Sequence, residues 1–502
     1  MQQPANEPIL TYLNGSPERK ALDAALQKYT SGVSEVPVVI GSEEFSSPQR
    51  RQQVMPFQHS STLATYSWAS KADIGRAIED GMKARLAWDA LPLKERAEVM
   101  LKAADLAGTK YRADLMAATM LGQGKTIIQA EIDSTCELID FLRFNAYFAL
   151  KAAEYEPLSP KGIKNSMRYR SLEGFVASIT PFNFTAIGGN LASCPAMMGN
   201  AVLWKPSDTA ILSNYIAYKI LREAGVPPGV IQFLPSDGPD FGDTVTASPH
   251  LACVNFTGSV ATFKHLYKQV GFNIDTYNTY PRLIGECGGK NFHFVHPSAE
   301  LETVVACTVR TAFEYQGQKC SAGSRLFVPR SLWPQIKDRL VAEIAKLKLG
   351  SPLDTDTFLT AVIDEKSFDR ICRYLEHAKA SPNVQIVTGG TADKSTGYYV
   401  QPTLLECSDP KDKLLKEEIF GPVLSVYPYE DGKVEEVLAS LKDATPFGLT
   451  GAVFAQDKAW LEAAVGKLRD AVGNLYLNDK STGSIVGQQP FGGARLSGTN
   501  DK

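Results

Sequence analysis

The stretch "FVASITPFNFTAIGGNLASCPAMMGNAVLWKP", residues 175–206, predicts a strand, a helix and a second strand. Short β-rich runs stand at its two ends, and a longer segment with helical character joins them. The same alternation continues in the runs "VIQFLP", "CVNFTG" and "PRLIGE". Because parallel strands are joined by crossover helices, we predict right-handed βαβ units around a parallel sheet.

The flanking sequence divides into further regions. A second alternating set contains "NFHFVH", "SRLFVP", "VQIVTG", "VLSVYPY", "TGAVFA" and "NLYLND". Two α/β domains in series would enclose a cleft in which a cofactor and a substrate meet. Upstream, residues 71–155 have a helical pattern, whereas residues 1–65 show few periods and predict a segment that wraps over the surface. Between the helical region and the first alternating set, two prolines and the alternation in "SMRYR" predict a projecting hairpin with an exposed strand.

Composition excludes several classes of function. The chain has 502 residues, of which 44% are hydrophobic and 21% charged, with a formal net charge of −3. This balance gives no electrostatic footprint for nucleic acid or an anionic membrane. Eight scattered cysteines in so long a chain do not form a disulfide framework, which favours a reducing compartment. The N-terminus lacks the basic and apolar regions of a targeting peptide, so we expect such a peptide to be absent or already removed.

Simple nucleotide and metal motifs are not matched. In "LGQGKT", residues 121–126, the earlier glycine of a Walker A loop is replaced by Thr119, and no strand precedes it. The turn "NFTGSV", residues 255–260, leads from a strand into a helix and offers backbone N–H groups to a pyrophosphate.

His293 and His296 lie on one strand and should point to opposite faces, so we expect no shared metal ion.

One cysteine stands in a different context from the others. In "EYQGQKCSAGS", residues 314–324, Cys320 lies in a loop between a helix and a strand, where a thiol is better placed for chemistry. Most free cysteines are small buried hydrophobic side chains, and the local sequence alone leaves both interpretations open. A G-x-S-x-G segment for serine hydrolase chemistry is absent from the sequence.

Six stretches in register resemble the NAD(P)-dependent aldehyde dehydrogenase superfamily, from about Ala5 to Lys502. Within it the chain is most similar to the branch that oxidises glutamate γ-semialdehyde. The stretches are "ITPFNFTAIGGN", "LWKPSD", "GECGGKN", "GQKCSAGSR", "KEEIFGPV" and "STGSIVGQQPFGGARLSGTNDK". The resemblance implies the aldehyde dehydrogenase fold, an α/β fold with two parallel-sheet domains and a small projecting oligomerisation hairpin. It places the NAD-binding domain at residues 1–158 and 174–288, the hairpin at 159–173, the catalytic domain at 289–495, and a truncated-looking C-terminal tail at 496–502.

The resemblance also implies catalytic roles. Cys320 matches the nucleophile, whose thiolate attacks the aldehyde carbon. Asn183 matches the side-chain donor that stabilises the resulting oxyanion together with the backbone N–H of Cys320. Glu286 matches the general base that activates water to hydrolyse the thioester. Without the resemblance, Glu286 would be interpreted as a surface carboxylate at the end of a strand.

Binding residues follow from the same match. NAD is the implied cofactor, and its candidate ligands are Lys205, Asp208, Gly258, Ser259, Glu418 and Phe420. A carboxylate at Asp208 would repel the 2′-phosphate of NADP. Phe263 departs from the glycine that many aldehyde dehydrogenases carry five residues after Gly258. The candidate substrate residues are Phe184, Ser321, Gly483, Ser484 and Phe491, which would hold a distal carboxylate with neutral donors and pack along the methylenes.

The implied reaction is NAD-dependent oxidation of L-glutamate γ-semialdehyde to L-glutamate, the second step of proline catabolism, in a homodimer of the mitochondrial matrix. One alternative is another small acid semialdehyde, such as succinate semialdehyde. A different class is a thiol acyltransferase or hydrolase without a nicotinamide, and a third is an inactive binding or structural protein. Relatives continue beyond "SGTNDK" with a strand that pairs across the subunit interface, so a genuine end at this point would weaken assembly or alter the loop after Arg495.

Overall fold

Two seven-stranded sheets organise the fold of the computed structural model, which describes residues 2–501. The strands, numbered along the chain, are β1 (Ser34–Val36), β2 (Val38–Ile40), β3 (Glu43–Phe45), β4 (Arg50–Met55), β5 (Gln58–Ser67), β6 (Phe175–Ile179), β7 (Ala201–Lys205), β8 (Ile231–Phe233), β9 (Leu251–Thr257), β10 (Arg282–Glu286), β11 (Asn291–Val295), β12 (Gly323–Pro329), β13 (Val384–Thr388), β14 (Ala392–Asp393), β15 (Tyr399–Val400), β16 (Thr403–Cys407), β17 (Val423–Tyr429), β18 (Phe447–Gly448), β19 (Thr450–Phe454), β20 (Asn474–Leu477) and β21 (Ala494–Arg495). The α-helices are α1 (Pro17–Thr30), α2 (Lys71–Ala90), α3 (Leu93–Gly108), α4 (Arg112–Gln123), α5 (Ile127–Ala130), α6 (Glu137–Ala153), α7 (Thr185–Met197), α8 (Ile211–Ala224), α9 (Gly238–Ala247), α10 (Val260–Phe272), α11 (Leu301–Phe313), α12 (Trp333–Ile344), α13 (Glu365–Ala380), α14 (Val434–Ser440) and α15 (Lys458–Lys467).

The first sheet has the strand order β10-β9-β6-β7-β8-β2-β3. The five strands predicted from the alternating pattern are parallel neighbours, and β2 and β3 add an antiparallel edge. Side chains of β6 alternate between two hydrophobic clusters, with Phe175 and Ala177 in one and Val176 in the other. Both faces are therefore covered by helices, as parallel sheets require, and the predicted βαβ organisation is confirmed.

The second sheet has the order β13-β16-β17-β12-β11-β19-β20. All of its neighbouring pairs are parallel except β13 with β16. The six strands named from the sequence are present, whereas β16 was not predicted. The α/β fold class with two parallel-sheet units is thus confirmed.

Of the two expectations about the N-terminal regions, one needs correction and the other is confirmed. Residues 1–65 are not only a surface wrap, because they contain α1, the small β1-β5-β4 sheet and the edge strands of the first large sheet. Ser16 caps α1 by accepting a hydrogen bond from the N–H of Arg19, and the helix buries Leu22 and Tyr29. Residues 71–153 are helical, as the pattern indicated, with a π-helical turn at Glu131–Cys136 that leads into α6.

The strand predicted at "SMRYR" is wrong. Residues 154–173 contain neither helix nor strand, and most of their side chains are exposed. The two arms of the segment still lie beside each other, because the Glu156 carboxylate accepts a bond from the N–H of Met167 at 2.9 Å. The amide of Asn165 also donates to the carbonyl of Leu158 at 2.7 Å. The segment is a side-chain-tied loop without a β ladder.

The junction between the sheets is short and buried. β10 ends at Glu286 and β11 begins at Asn291, so four buried residues, 287–290, connect the two halves of the fold. The last described segment packs on this junction. The carbonyl of Ser497 accepts a bond from the N–H of Cys287 at 2.7 Å, and the N–H of Thr499 donates to Gly285 at 2.9 Å. Within the tail predicted at 496–502, only Lys502 lies outside the described residues.

Candidate active site

Cys320 follows a tight turn at the end of α11. Tyr315, Gln316 and Gly317 have φ values of 53°, 56° and 65°, a left-handed conformation that costs energy in residues with a side chain. The buried amide of Gln316 offsets this cost by donating to Thr360 Oγ1 and the carbonyl of Ala361, both at 2.8 Å. The thiol is therefore presented from a turn that buried hydrogen bonds hold in place.

The surroundings of Cys320 disfavour its thiolate. Burial, followed by the negative charges of Glu286 and Glu418, raises the pKa of the thiol to about 12. The N–H of Ser321 acts in the opposite direction by donating to the sulfur. In this state Cys320 is a protonated thiol with two carboxylates close enough to affect it.

Asn183 lies beside the nucleophile turn. It is buried in the loop between β6 and α7, and its Nδ2 donates to the carbonyl of Gln318 at 3.0 Å. The predicted oxyanion donor is thus bonded to Gln318, two residues before Cys320, although Asn183 and Cys320 are far apart in sequence.

Glu286 is held at the end of β10 by glycines. Its carboxylate accepts bonds from the N–H of Gly493 at 2.7 and 3.1 Å. A Cβ atom at Gly493 or Gly498 would lie 2.7 or 2.6 Å from Oε1 of Glu286, closer than van der Waals contact permits. Only glycine at these positions leaves room for the carboxylate, which explains part of the "FGGARLSG" sequence.

Glu418 occupies a second glycine cradle. Its carboxylate accepts a bond from the N–H of Gly289 at 2.8 Å, and a Cβ atom at Gly288 would overlap both of its oxygens. Burial raises the pKa of Glu418. Two residues later, Phe420 has a φ of 55° and meets Phe182 edge-on, with 6.0 Å between the ring centroids.

The remaining cofactor candidates lie at the carboxyl ends of β7 and β9. Lys205 is buried at the end of β7, and its Nζ lies 3.6 Å from Oδ1 of Asp208. Ser259 caps the 13-residue helix α10 by accepting a bond from the N–H of Thr262 at 3.2 Å. Gly258 precedes it, and a Cβ atom there would lie 2.7 Å from the ring of Phe256. This turn leaves a helix N-terminus open to an anion.

Three of the five substrate candidates, Ser321, Gly483 and Ser484, lie in or against one loop, residues 481–484, which we call the anchor loop. Ser321, directly after the nucleophile, shares a hydrogen bond with Thr482 at 2.7 Å. Gly483 has a φ of 77°, and Ser484 shares a bond with the hydroxyl of Tyr476 at 2.6 Å. The family resemblance implies Ser321, Gly483 and Ser484 but not Thr482, whose hydroxyl joins the anchor loop to the nucleophile stretch.

The family follows from comparison with known proteins. The sequence model described as "Aldehyde dehydrogenase family" matches residues 44–502. This chain belongs to the aldehyde dehydrogenase family. The bovine mitochondrial delta-1-pyrroline-5-carboxylate dehydrogenase is 59% identical over 501 residues, covering 100% of this chain and 89% of the relative. The human mitochondrial enzyme of that name is 58% identical over 499 residues, covering 99% and 89%.

A solved structure of the family is also similar throughout. The crystal structure of the delta-pyrroline-5-carboxylate dehydrogenase from Mycobacterium tuberculosis bound with NAD matches with a TM-score of 0.96 and 46% identity. The match covers 100% of this chain and 93% of that chain. Among residues 2–501, no helix is long and apolar enough to cross a membrane.

Phe263, the departure from the common family pattern, has a defined place. Its ring stacks on Phe256 with 5.4 Å between centroids and an interplanar angle of 18°. It also covers Gly285, where a Cβ atom would overlap the ring. The bulky side chain at this position is therefore accommodated by a glycine at the start of the "GECGG" motif.

A buried ionic cluster near Phe184 was missed by the sequence reasoning. Lys125 is fully buried, bonds Asp133 at 2.5 Å and lies 4.6 Å from the ring centroid of Phe184. Lys319, next to the nucleophile, lies 3.5 Å from the same Asp133 carboxylate. Burial raises the pKa of neighbouring Glu137 well above its usual range. The only sequence feature that pointed to this cluster was the stretch 121–126, which contains Lys125 but does not match a phosphate-binding loop. Phe491, the other aromatic candidate, is half-buried before Gly492.

Proposed function

We propose that this chain oxidises L-glutamate γ-semialdehyde, in equilibrium with 1-pyrroline-5-carboxylate, to L-glutamate with NAD, the second step of proline catabolism. The observation that carries the proposal is the contact between the nucleophile stretch and the anchor loop. Ser321 shares a 2.7 Å hydrogen bond with Thr482, so the reacting thiol and a set of hydroxyl and amide donors belong to one unit. An aldehyde whose far end is a carboxylate fits such an arrangement. The names of the bovine and human relatives agree with this substrate.

In the first step, the Cys320 thiol loses its proton to water, and the thiolate sulfur forms a bond to the aldehyde carbon as the carbonyl π electrons move to oxygen. The resulting oxyanion requires donors that are already in place, because water would otherwise have to reorganise around it. Asn183 supplies one, since its amide is held beside the nucleophile turn by the Gln318 carbonyl. The N–H of Cys320 supplies the second.

NAD fits the residues that would hold it. The capped N-terminus of α10 at Gly258 and Ser259 would receive the pyrophosphate, and Lys205 would contact the adenosine ribose. The carboxylate of Glu418, fixed in the Gly288 cradle, would accept bonds from the nicotinamide ribose beside Phe420. When bound, the nicotinamide accepts the hydride that leaves the substrate carbon. Asp208, paired with Lys205, disfavours a 2′-phosphate and hence NADP.

In the last step, Glu286 takes a proton from a water molecule whose oxygen attacks the thioester carbon. The carbon–sulfur bond breaks, the Cys320 sulfur leaves with the bonding electrons, and the product is a carboxylic acid. Glu286 suits this role because the N–H of Gly493 orients its carboxylate while Gly493 and Gly498 leave space around it.

Substrate selection rests on the anchor loop and two aromatic rings. Ser321, Gly483 and Ser484 would hold the distal carboxylate through hydroxyl and backbone N–H donors. Phe184 and Phe491 would pack along the methylenes of the substrate. Neutral donors are sufficient to bind the distal carboxylate, because hydrogen bonds to a charged group are about twice as strong as those between neutral groups.

For the whole molecule we propose a homodimer of the mitochondrial matrix. The exposed apolar side chains of residues 154–173 support an oligomer interface on that loop. The mitochondrial relatives support the compartment.

The test is NADH formation with pyrroline-5-carboxylate against a panel of aldehydes. We expect the highest kcat/KM for pyrroline-5-carboxylate, and clear turnover of succinate semialdehyde without turnover of pyrroline-5-carboxylate would reject the substrate. Cys320→Ala should abolish turnover while leaving NAD binding intact. Retained turnover in that variant would reject the nucleophile.

A further inference from the structure

Each hydroxyl of the anchor loop is bonded to a different part of the catalytic half of the chain. Thr482 bonds Ser321, and Ser484 bonds Tyr476 on β20. The first hydroxyl, that of buried Ser481, bonds Nε2 of His293 at 3.1 Å. The loop is therefore positioned from three directions, and the contact of Ser481 reaches the centre of the second sheet.

His293 connects this loop to the helix that leads to the nucleophile. The ring lies on β11 and is 1% exposed. Its Nδ1 bonds Thr308 Oγ1 on α11 at 2.9 Å, so the two ring nitrogens bridge α11 and the anchor loop. Burial lowers the pKa of His293 to about 3, which keeps the ring neutral, with one nitrogen as donor and the other as acceptor.

The same ring lies against the nucleophile stretch. A Cβ atom at Gly323, three residues after Cys320, would lie 3.8 Å from Nε2 of His293. The ring of Phe454 also lies beside the His293 ring, with 5.1 Å between the ring centroids. His293 thus bonds the anchor loop and lies close to the segment that carries the nucleophile, and the separation of these two segments would decide which aldehydes fit between thiol and loop.

We propose that His293 is a positioning residue that holds the anchor loop, through Ser481, at the distance from Cys320 required by aldehydes with a distal carboxylate. The inference rests on the proposed function, in which that loop binds the carboxylate. A buried imidazole used only for packing needs no hydrogen bond to the loop, and an apolar side chain would fill the space without the cost of burying polar atoms. Here both nitrogens are bonded, and one of the two partners belongs to the substrate loop.

Two amide variants separate the two bonds of the ring. The amide of Asn reaches about as far as Nδ1, whereas that of Gln reaches about as far as Nε2. His293→Gln should therefore keep the contact with Ser481, and His293→Asn should keep the one with Thr308. We expect His293→Asn to raise the KM for glutamate semialdehyde about tenfold, the loss of roughly one hydrogen bond, with a smaller change in kcat. His293→Gln should stay close to the wild type.

An uncharged aldehyde of similar length, pentanal, provides the second arm. Because it has no carboxylate, its kcat/KM should be the same in both variants as in the wild type. His296→Asn is the matched control, since that ring stacks on Trp460 at 4.2 Å and bonds Ser298 away from the anchor loop. Ser481→Ala, which removes the loop side of the bond and leaves the imidazole in place, should reproduce the selective rise in KM even if the His293 variants fold poorly.

The possible outcomes are distinct. A selective rise in KM for the acid semialdehyde in His293→Asn and Ser481→Ala supports the proposal. Equal losses with both aldehydes, or a wild-type KM in Ser481→Ala, would overturn it. If the wild type prefers another acid semialdehyde, the proposed substrate is wrong. The role of His293 is then still tested by comparing the change in KM for that semialdehyde with the change for pentanal.

Discussion

At the scale of single residues, the thiol of Cys320 gives a pH prediction. Burial and then the carboxylates of Glu286 and Glu418 raise its pKa to about 12, so the thiolate fraction increases about tenfold per pH unit below that value. We expect alkylation of the NAD-free enzyme by iodoacetamide to be slow near neutral pH. The rate should still be rising at about pH 10, as followed by mass spectrometry of the Cys320 peptide.

The variant Glu286→Gln tests whether the negative charge of Glu286 raises the pKa of Cys320. Removing the negative charge should lower the pKa of Cys320 and speed its alkylation at a fixed pH, while turnover is lost. Slower alkylation in this variant would show instead that Glu286 removes the proton of the thiol. Cys320→Ala is the control that assigns the labelled peptide.

Gly288 provides a prediction about the cofactor. A methyl group at this position overlaps both carboxylate oxygens of Glu418, so Gly288→Ala must displace Glu418 from the N–H of Gly289. We expect the affinity for NAD to fall about tenfold or more in calorimetry. Gly466→Ala is the matched control, because no atom lies within 4 Å of the added methyl group. An unchanged affinity for NAD in Gly288→Ala would show that Glu418 does not bind the cofactor.

The residues that the sequence predicted differ in kind from those it missed. Cys320, Glu286 and Asn183 stand in motifs whose order along the chain can be matched to a family. Thr482, His293 and Lys125 act through contacts that depend on the fold. The partner of Thr482 is 161 residues away, and that of His293 is 188 residues away. No local pattern carries such pairings, so only the structure reveals them.

At the scale of elements, strands buried on both faces were the easiest to predict. The runs in β6, β7 and β9 are almost continuously apolar because helices cover both sides. The exposed loop at residues 154–173 gave the opposite result. Alternation in "SMRYR" predicted a strand, but a strand also needs a hydrogen-bonded neighbour, and within residues 2–501 that segment has none.

The π-helical turn before α6 provides a stability prediction. It carries Asp133, whose buried carboxylate bonds Lys125 at 2.5 Å and lies 3.5 Å from Lys319. Asp133→Asn leaves buried Lys125 without its ion-pair partner, whereas Lys319 keeps Glu314 at 3.1 Å. The free energy of unfolding should fall by about 3–5 kcal/mol. The measurement is the midpoint of urea denaturation.

The control for this change is an exposed ion pair. Asp23 bonds Arg19 at 2.8 Å on the surface of α1, and Asp23→Asn should change stability by no more than about 0.5 kcal/mol. Equal effects of the two substitutions would mean that the Asp133 cluster contributes no more than a surface pair.

At the scale of the whole molecule, the active site belongs to neither sheet alone. Glu286 ends β10 of the first sheet, Cys320 precedes β12 of the second, and the N–H that orients Glu286 comes from Gly493 near the C-terminus. The two halves must therefore dock before the nucleophile meets its base. This explains why the local sequence around Cys320 left its role open, whereas motifs from all parts of the chain, taken together, predicted it.

The assembly prediction concerns the loop at residues 154–173. Leu158 is 93% exposed and Ile163 is 59% exposed, together with Tyr155 at 74%. A monomer seldom leaves several large apolar side chains of one short segment in water, because their burial is favourable. We therefore expect the wild type to sediment as a dimer at micromolar concentration, and the double variant Leu158→Glu with Ile163→Glu to sediment as a monomer.

Leu13→Glu, at a site that is 68% exposed and outside this loop, should leave the dimer intact. A monomeric wild type would reject the dimer, and a double variant that stays dimeric would place the interface elsewhere, since two carboxylates cannot be buried there without a large desolvation cost.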